Sequence, residues 1–218
     1  MNEVLTVKSA IEHTFLKPDT GVADIERICK ESMVYNFAAV CVPPYFIEDA
    51  VAILEGTQVE VVTVVAFPFG YNSMMSKFEE TEDVLRRGAD HVDIVTNIAA
   101  IKNNDWETVE NEIEMLTKLV HNEGKIIKII GETGILSEVE IELLCKIINE
   151  HKADFFKTST GINVPGASVE IIELLRKNLL PSIKIKASGG IKTLEFALEL
   201  MHAGASRLGT SSGVALVS

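Results

Sequence analysis

Short runs of β-branched and other apolar residues alternate along this chain with longer stretches in which apolar residues recur every three or four positions. Eight such runs predict strands near Ile11–Leu16, Phe37–Val42, Val59–Ala66, His91–Val95, Lys125–Ile130, Asp154–Thr158, Ile183–Ala187 and Arg207–Thr210. Their spacing of roughly 20 to 35 residues is that of repeated βα units. Between them, Met74–Arg87 and Asp105–Asn122 place acids and lysines among periodic apolar positions, which predicts amphipathic helices. Ser137 and Glu140 form a capping-box pattern opening a helix over Ser137–Glu150, and Gly88, Gly124 and Gly204 stand where helices should stop. Eight parallel strands close a (β/α)8 TIM barrel, the expected fold. An open doubly wound α/β sheet is the alternative, because Arg207-Leu-Gly-Thr210 is the least strand-like of the runs.

Composition adds few constraints. The 218 residues, 47% of them hydrophobic, suit one α/β domain, and no linker, low-complexity segment or compositional break divides residues 1–218. No apolar run approaches the roughly 18 residues of a membrane span, and no N-terminal signal pattern is present, so a soluble cytoplasmic protein is expected. A formal net charge of -12 opposes nucleic-acid and anionic-membrane partners. Any anionic substrate must therefore be held by local design. The three cysteines, Cys29, Cys41 and Cys145, lack paired or metal-like spacing and read as reduced thiols, Cys41 as a small buried hydrophobe. His13, His91, His121, His151 and His202 are scattered without ligand spacing, which argues against a zinc site. Trp106 and Phe78 read as core residues, and the acidic run Glu79–Asp83 as a solvated helix face.

The candidate chemistry lies at two strand ends. Lys157 and Lys186 each close an apolar run and are each followed by a glycine-bearing turn, in Asp154-Phe-Phe-Lys157-Thr-Ser-Thr-Gly161 and Ile183-Lys-Ile-Lys186-Ala-Ser-Gly-Gly190. A lysine at the carboxyl end of a barrel strand, crowded by a second cation, is suited to attack carbonyls near neutral pH, which points to a Schiff-base aldolase. Period-two alternation sets Lys184 and Lys186 opposite the isoleucines of their strand, so both are expected to point into the barrel, and Lys128 likewise. A buried amine needs a carboxylate, and Asp93 in the apolar strand His91–Val95 is the expected partner. Burial and spacing alone do not choose among Lys157, Lys186 and Lys128 as the nucleophile.

Three consecutive turns supply an anion site. Thr158-Ser-Thr-Gly161, Ser188-Gly-Gly190 and Gly209-Thr-Ser-Ser-Gly213 follow the sixth, seventh and eighth strands, where small residues let backbone N–H groups approach a phosphate. Phosphate in barrels sits typically after strands seven and eight.

The residues now assembled resemble the deoxyribose-phosphate aldolases over nearly the whole chain. The matching stretches are Ile11–Pro18, Val40–Pro43, Val64–Gly70, Val92–Val95, Ile101–Trp106, Lys128-Ile-Ile-Gly-Glu-Thr133, Phe156–Gly161, Lys186-Ala-Ser-Gly-Gly190 and Gly209–Val214. The resemblance implies a barrel that reversibly cleaves 2-deoxy-D-ribose 5-phosphate to acetaldehyde and D-glyceraldehyde 3-phosphate without metal or organic cofactor. It implies Lys157 as the Schiff-base amine, Lys186 as the cation that disfavours protonation of its neighbour, and Asp93 as the acid that relays protons with Lys186 and a water. Gly161, Gly190, Ser211 and Ser212 fall at its phosphate site with Gly189 close by, and Thr160 is counted with them. A homodimer is expected, as barrels of this kind often associate.

Three positions depart from the family pattern: Glu12 where an aspartate is usual, Pro43 where many relatives carry asparagine, and Ile162 where some carry a lysine near phosphate. The first two bear on substrate detail, and the third suggests weaker phosphate affinity. Another barrel phospho-sugar enzyme would share the phosphate turns without combining Lys157, Lys186 and Asp93. A sugar-phosphate-binding module would bind without turnover.

Overall fold

Eight short strands form a closed, all-parallel barrel in sequence order. The computed structural model describes residues 3–163 and 166–218. The strands are β1 (Ile11–Thr14), β2 (Ala39–Val42), β3 (Glu60–Val65), β4 (His91–Val95), β5 (Ile126–Ile130), β6 (Phe155–Lys157), β7 (Lys184–Ser188) and β8 (Arg207–Thr210). β8 pairs with β1 through Ile11–Leu208 and His13–Thr210, so the weakest of the sequence-predicted strands is the one that shuts the barrel. Closure leaves no sheet edge, and the open doubly wound alternative is set aside.

Each strand is followed by helix, and the helices form where the apolar periodicity placed them. Met74–Arg86, Trp106–Asn122 and Glu138–His151 lie within a residue or two of the expected bounds. The capping box is present: Ser137 Oγ accepts from the Glu140 N–H at 3.3 Å, and the Ser137 N–H donates to Glu140 Oε2 at 2.6 Å.

Alternation along the strands divides the core in two. One face of each strand packs on the helices in a large apolar layer that includes Val40, Val65, Val92, Ile94, Ile127, Ile129, Phe156, Ile185 and Leu208. Trp106 packs against this layer, whereas Phe78 is only half-buried on its helix. Inside the barrel, Ala39, Cys41, Val62 and Val64 make a smaller apolar cluster on the β2–β3 side. Burial pushes the Cys41 thiol up, consistent with a packing role. The opposite side of the interior is filled by charge. The acidic run is not wholly solvated: Glu80 is half-buried and accepts from the Ala66 N–H at 2.9 Å. No helix among the described residues is long and apolar enough to cross a membrane.

Candidate active site

Register and barrel closure bring the chemistry together. Asp93 and Lys128 are partners on neighbouring β4 and β5, and Lys157 and Lys186 are partners on β6 and β7. All four are at most 3% exposed. Asp93 is the hub: its Oδ2 accepts from Lys157 Nζ at 2.8 Å and Lys186 Nζ at 2.6 Å, and its Oδ1 accepts from Lys128 Nζ at 3.0 Å. Glu12 on β1 completes the cluster, with Oε2 accepting from Lys186 Nζ and Oε1 at 3.4 Å from Lys128 Nζ. Lys128 also lies 2.9 Å from His91 Nδ1, and an ammonium has only donors, so that ring nitrogen serves as acceptor.

The electrostatics follow from burial and from the count of charges. Burial pushes the Asp93 carboxyl up, but Lys128, Lys157 and Lys186 together hold it well below the usual carboxylate range. Burial acts on Glu12 in the same way, and Lys128 and Lys186 bring it down to about 2. Burial works against the charge of Lys186, yet Asp93 and Glu12 hold its ammonium above the ordinary lysine value. Three lysines thus share two carboxylates, which leaves one surplus positive charge in a space where Coulomb forces are weakly screened. Lys186 and Lys128 each reach both carboxylates, whereas Lys157 reaches Asp93 alone.

A cavity of about 280 Å³ opens above this cluster at the carboxyl ends of the strands. Lys157 lines it, while Lys186, Lys128 and Asp93 lie beneath. Its walls are the turns after β6, β7, β8 and β1, including Gly161, Gly189, Gly190, Ser211 and Ser212. Two glycines make the geometry possible. A Cβ on Gly209 would lie 3.0 Å from Lys186 Cε, so the small residue in β8 gives that lysine its room. Gly189 has φ +87° and packs so closely that a Cβ would lie 2.8 Å from Gly166 Cα, which locks the β7 turn onto the segment after β6.

Comparison with known proteins decides the family at this point, because a family profile described as "DeoC/LacD family aldolase" matches residues 8–217. The chain belongs to the DeoC/LacD aldolase family. It is 46% identical over 209 residues to a deoxyribose-phosphate aldolase of Caldicellulosiruptor saccharolyticus, covering 95% of each chain. It is 43% identical over 213 residues to the Bacillus subtilis deoxyribose-phosphate aldolase, covering 98% of this chain and 95% of that one. Among solved structures, a putative deoxyribose-phosphate aldolase from Coccidioides immitis superposes with a TM-score of 0.94 at 36% identity, covering 98% and 85% of the two chains. The Aeropyrum pernix deoxyribose phosphate aldolase, described as tetrameric, gives 0.92 at 27% identity, covering 100% and 92%.

The aldolase brings Lys157, Asp93 and Lys186 into direct contact and sets all six expected substrate-site residues on the cavity wall. Thr160 lines the cavity while its N–H and hydroxyl both donate to Glu132, at 3.0 and 2.6 Å. One expectation needs correction. Lys184 is exposed rather than enclosed: as the first residue of β7 it stands at the amino-terminal end of the strand, its ammonium 5.5 Å from the Phe155 ring centroid.

Sequence reasoning also missed partners. Lys17 and Lys192 line the cavity, and among the described residues neither is paired with a carboxylate. They bring the positive charge that Ile162, itself on the wall, does not. A signal existed, since Lys17 lies within the stretch Ile11–Pro18 already singled out and Lys192 stands two residues after Gly190. Pro43 lies apart, lining a neighbouring cavity of about 490 Å³ with Tyr45, Phe67 and Glu80.

Proposed function

We propose that this aldolase reversibly cleaves 2-deoxy-D-ribose 5-phosphate to acetaldehyde and D-glyceraldehyde 3-phosphate through a Schiff base on Lys157. The activity is the one named for its curated relatives. The observation that carries the reading is that, of the three buried lysines sharing two carboxylates, Lys157 has the fewest anionic contacts and lines the cavity. Shedding a proton from that amine relieves the surplus charge and frees a nucleophile at the place where a carbonyl has access.

The amine of Lys157 adds to C1 of the open-chain aldehyde, and loss of water from the carbinolamine gives an iminium. Removal of the C3 hydroxyl proton breaks the C2–C3 bond, its electron pair moving into the iminium to form an enamine, and D-glyceraldehyde 3-phosphate leaves. Protonation of the enamine at C2 and hydrolysis of the resulting iminium release acetaldehyde and restore the amine. Asp93 touches both Lys157 and Lys186, so protons pass among these groups and, through a water, to the reacting oxygens and carbon. The iminium is the electron sink, and no step calls for a metal or organic cofactor. The 5-phosphate lies against Gly161, Gly189, Gly190, Ser211 and Ser212, with Lys17 and Lys192 balancing its charge. The acting unit is a homo-oligomer, with a homodimer as the expected state, readable by sedimentation.

Borohydride reduction in the presence of 2-deoxyribose 5-phosphate, followed by peptide mass mapping, tests the chemistry. A stable adduct on Lys157 is expected. An adduct on Lys128 or Lys186 would overturn the choice of nucleophile, and turnover without any adduct would overturn the Schiff base.

A further inference from the structure

We infer that Glu132 is a positioning residue that holds the phosphate-binding turn after β6 in shape, an inference that rests on the phosphate site proposed above. Glu132 follows β5 and is fully buried. Among the described residues its carboxylate has no lysine, arginine or histidine within ion-pair distance, which sets it apart from Glu12, Asp93 and Glu112. A buried carboxylate without a cation is costly unless its oxygens are filled by hydrogen bonds. Here they are filled from one source, the β6 turn. Oε1 accepts from the Thr160 N–H at 3.0 Å, and Oε2 accepts from Thr160 Oγ1 at 2.6 Å and Asn163 Nδ2 at 3.3 Å.

The hydrogen bonds run in one direction. The Thr160 hydroxyl accepts from the Ile162 N–H at 3.2 Å, so its own proton is free to go to Glu132. Asn163 also donates to the Pro68 carbonyl at 3.0 Å, which ties the same turn to the loop after β3. Glu132 itself sits at φ 53°, a left-handed backbone that a side chain adopts at a cost. The other flank of the turn is fixed separately. Ser159 Oγ donates to the Ser188 carbonyl at 2.7 Å, and Ser188 Oγ donates to the Ser159 carbonyl at 2.6 Å. Gly161, the cavity-wall residue of this turn, lies between the two Glu132-bound residues Thr160 and Asn163. Glu132 therefore governs where Gly161 meets the phosphate, and the turn it holds lies beyond Lys157 in the chain. Its loss should be felt at the phosphate rather than at the reacting carbon.

Glu132→Gln keeps the shape but sets an amide donor against the donors of Thr160 and Asn163. KM for 2-deoxyribose 5-phosphate is expected to rise by about tenfold, the scale of a hydrogen bond to a charged group, with kcat changed by less than about twofold. Kinetics on unphosphorylated 2-deoxyribose should be unchanged, and inorganic phosphate, titrated by NMR, should bind about tenfold more weakly. Thr160→Val should reproduce the shift, and the double variant should be little worse than either single one, because both remove the same contact. Equal losses on the two sugars, or undiminished phosphate binding in Glu132→Gln, would overturn the inference. If the wild type binds phosphate but does not cleave the sugar, the proposed activity fails while the phosphate titration still decides the role of Glu132.

Discussion

Two buried clusters in this molecule are built from the same parts and do different things. Outside the barrel, Lys77 on helix Met74–Arg86 donates to Glu112 Oε1 at 2.7 Å and to the Val95 carbonyl at 2.8 Å, and Glu112 Oε1 also accepts from the Asn97 N–H at 3.2 Å. Inside it, Lys128, Lys157 and Lys186 converge on Asp93 and Glu12. Both clusters are buried. The first is one cation to one anion, and burial pushes Lys77 down and Glu112 up. The second has a charge surplus and a cavity over one of its lysines. Burial of charge is therefore common to the two clusters; the unequal count and the access to the cavity set Lys157 apart.

Removing each lysine separates the clusters most sharply. Lys157→Ala should cut turnover by about 10⁴-fold or more, the scale for deleting a nucleophile, while thermal melting shows the fold retained. A substantial residual rate would sink the assignment. Lys77→Met should do the reverse, costing about 3–5 kcal/mol in urea unfolding by stranding Glu112, with kcat per folded molecule unchanged. Combining Lys77→Met with Glu112→Leu should restore most of that stability, since an apolar pair of similar volume replaces the ions without the desolvation cost.

Acid acts on the two clusters with opposite sign. Glu12 ionises at about 2 in the fold, and at about 4.3 as an unperturbed side chain in the unfolded protein. Its depressed value contributes stability that is fully present above about 4.3 and is lost as pH falls toward 2, and Asp93 acts in the same direction. Glu112, raised by burial, contributes in the other sense, with stability present at low pH and lost as pH rises through its folded value. The gain from Glu112 falls above about pH 4.3, between its unfolded and raised folded values, and should vanish in the Lys77→Met, Glu112→Leu double variant, whereas the urea midpoint of both proteins should fall between about pH 4.3 and 2. A midpoint independent of pH in that window would show that the inner cluster is not held charged. The smallest effect is expected for Glu12→Asp. Shortening the side chain by one methylene loosens its contact with Lys186, and kcat should change by less than about threefold, since Asp93 keeps its own bond to that lysine.

Much of this was legible along the chain. Strand positions, helix bounds, the capping box at Ser137 and the inward placement of Lys128 and Lys186 follow from periodicity and local hydrogen bonding, which depend on near neighbours. Lys77 and Glu112 were missed although the signal was present: Lys77 falls in line with Thr81, Val84 and Leu85, and Glu112 with Val109, Ile113 and Leu116. A lysine and a glutamate on the buried stripes of two helices are a pair in waiting, but only if those helices touch. Lys184 was misplaced because alternation gives the face of a strand and not its depth in the barrel. Glu132 went unseen as the partner of Thr160, because it follows another strand, β5, and lies 28 positions away along the chain.

The sequence by itself determined a barrel of βα units, its lysine-bearing strand ends and its small-residue turns, since these rest on spacing and side-chain chemistry over a few residues. Only the tertiary structure decided which lysine meets the cavity, how many cations share Asp93 and Glu12, and that Glu132 faces the β6 turn. Those outcomes depend on strand register and barrel closure, which bring together residues as far apart as Glu12 and Lys186, 174 positions along the chain. Distances of this kind set the local charge balance, and no window of sequence contains them.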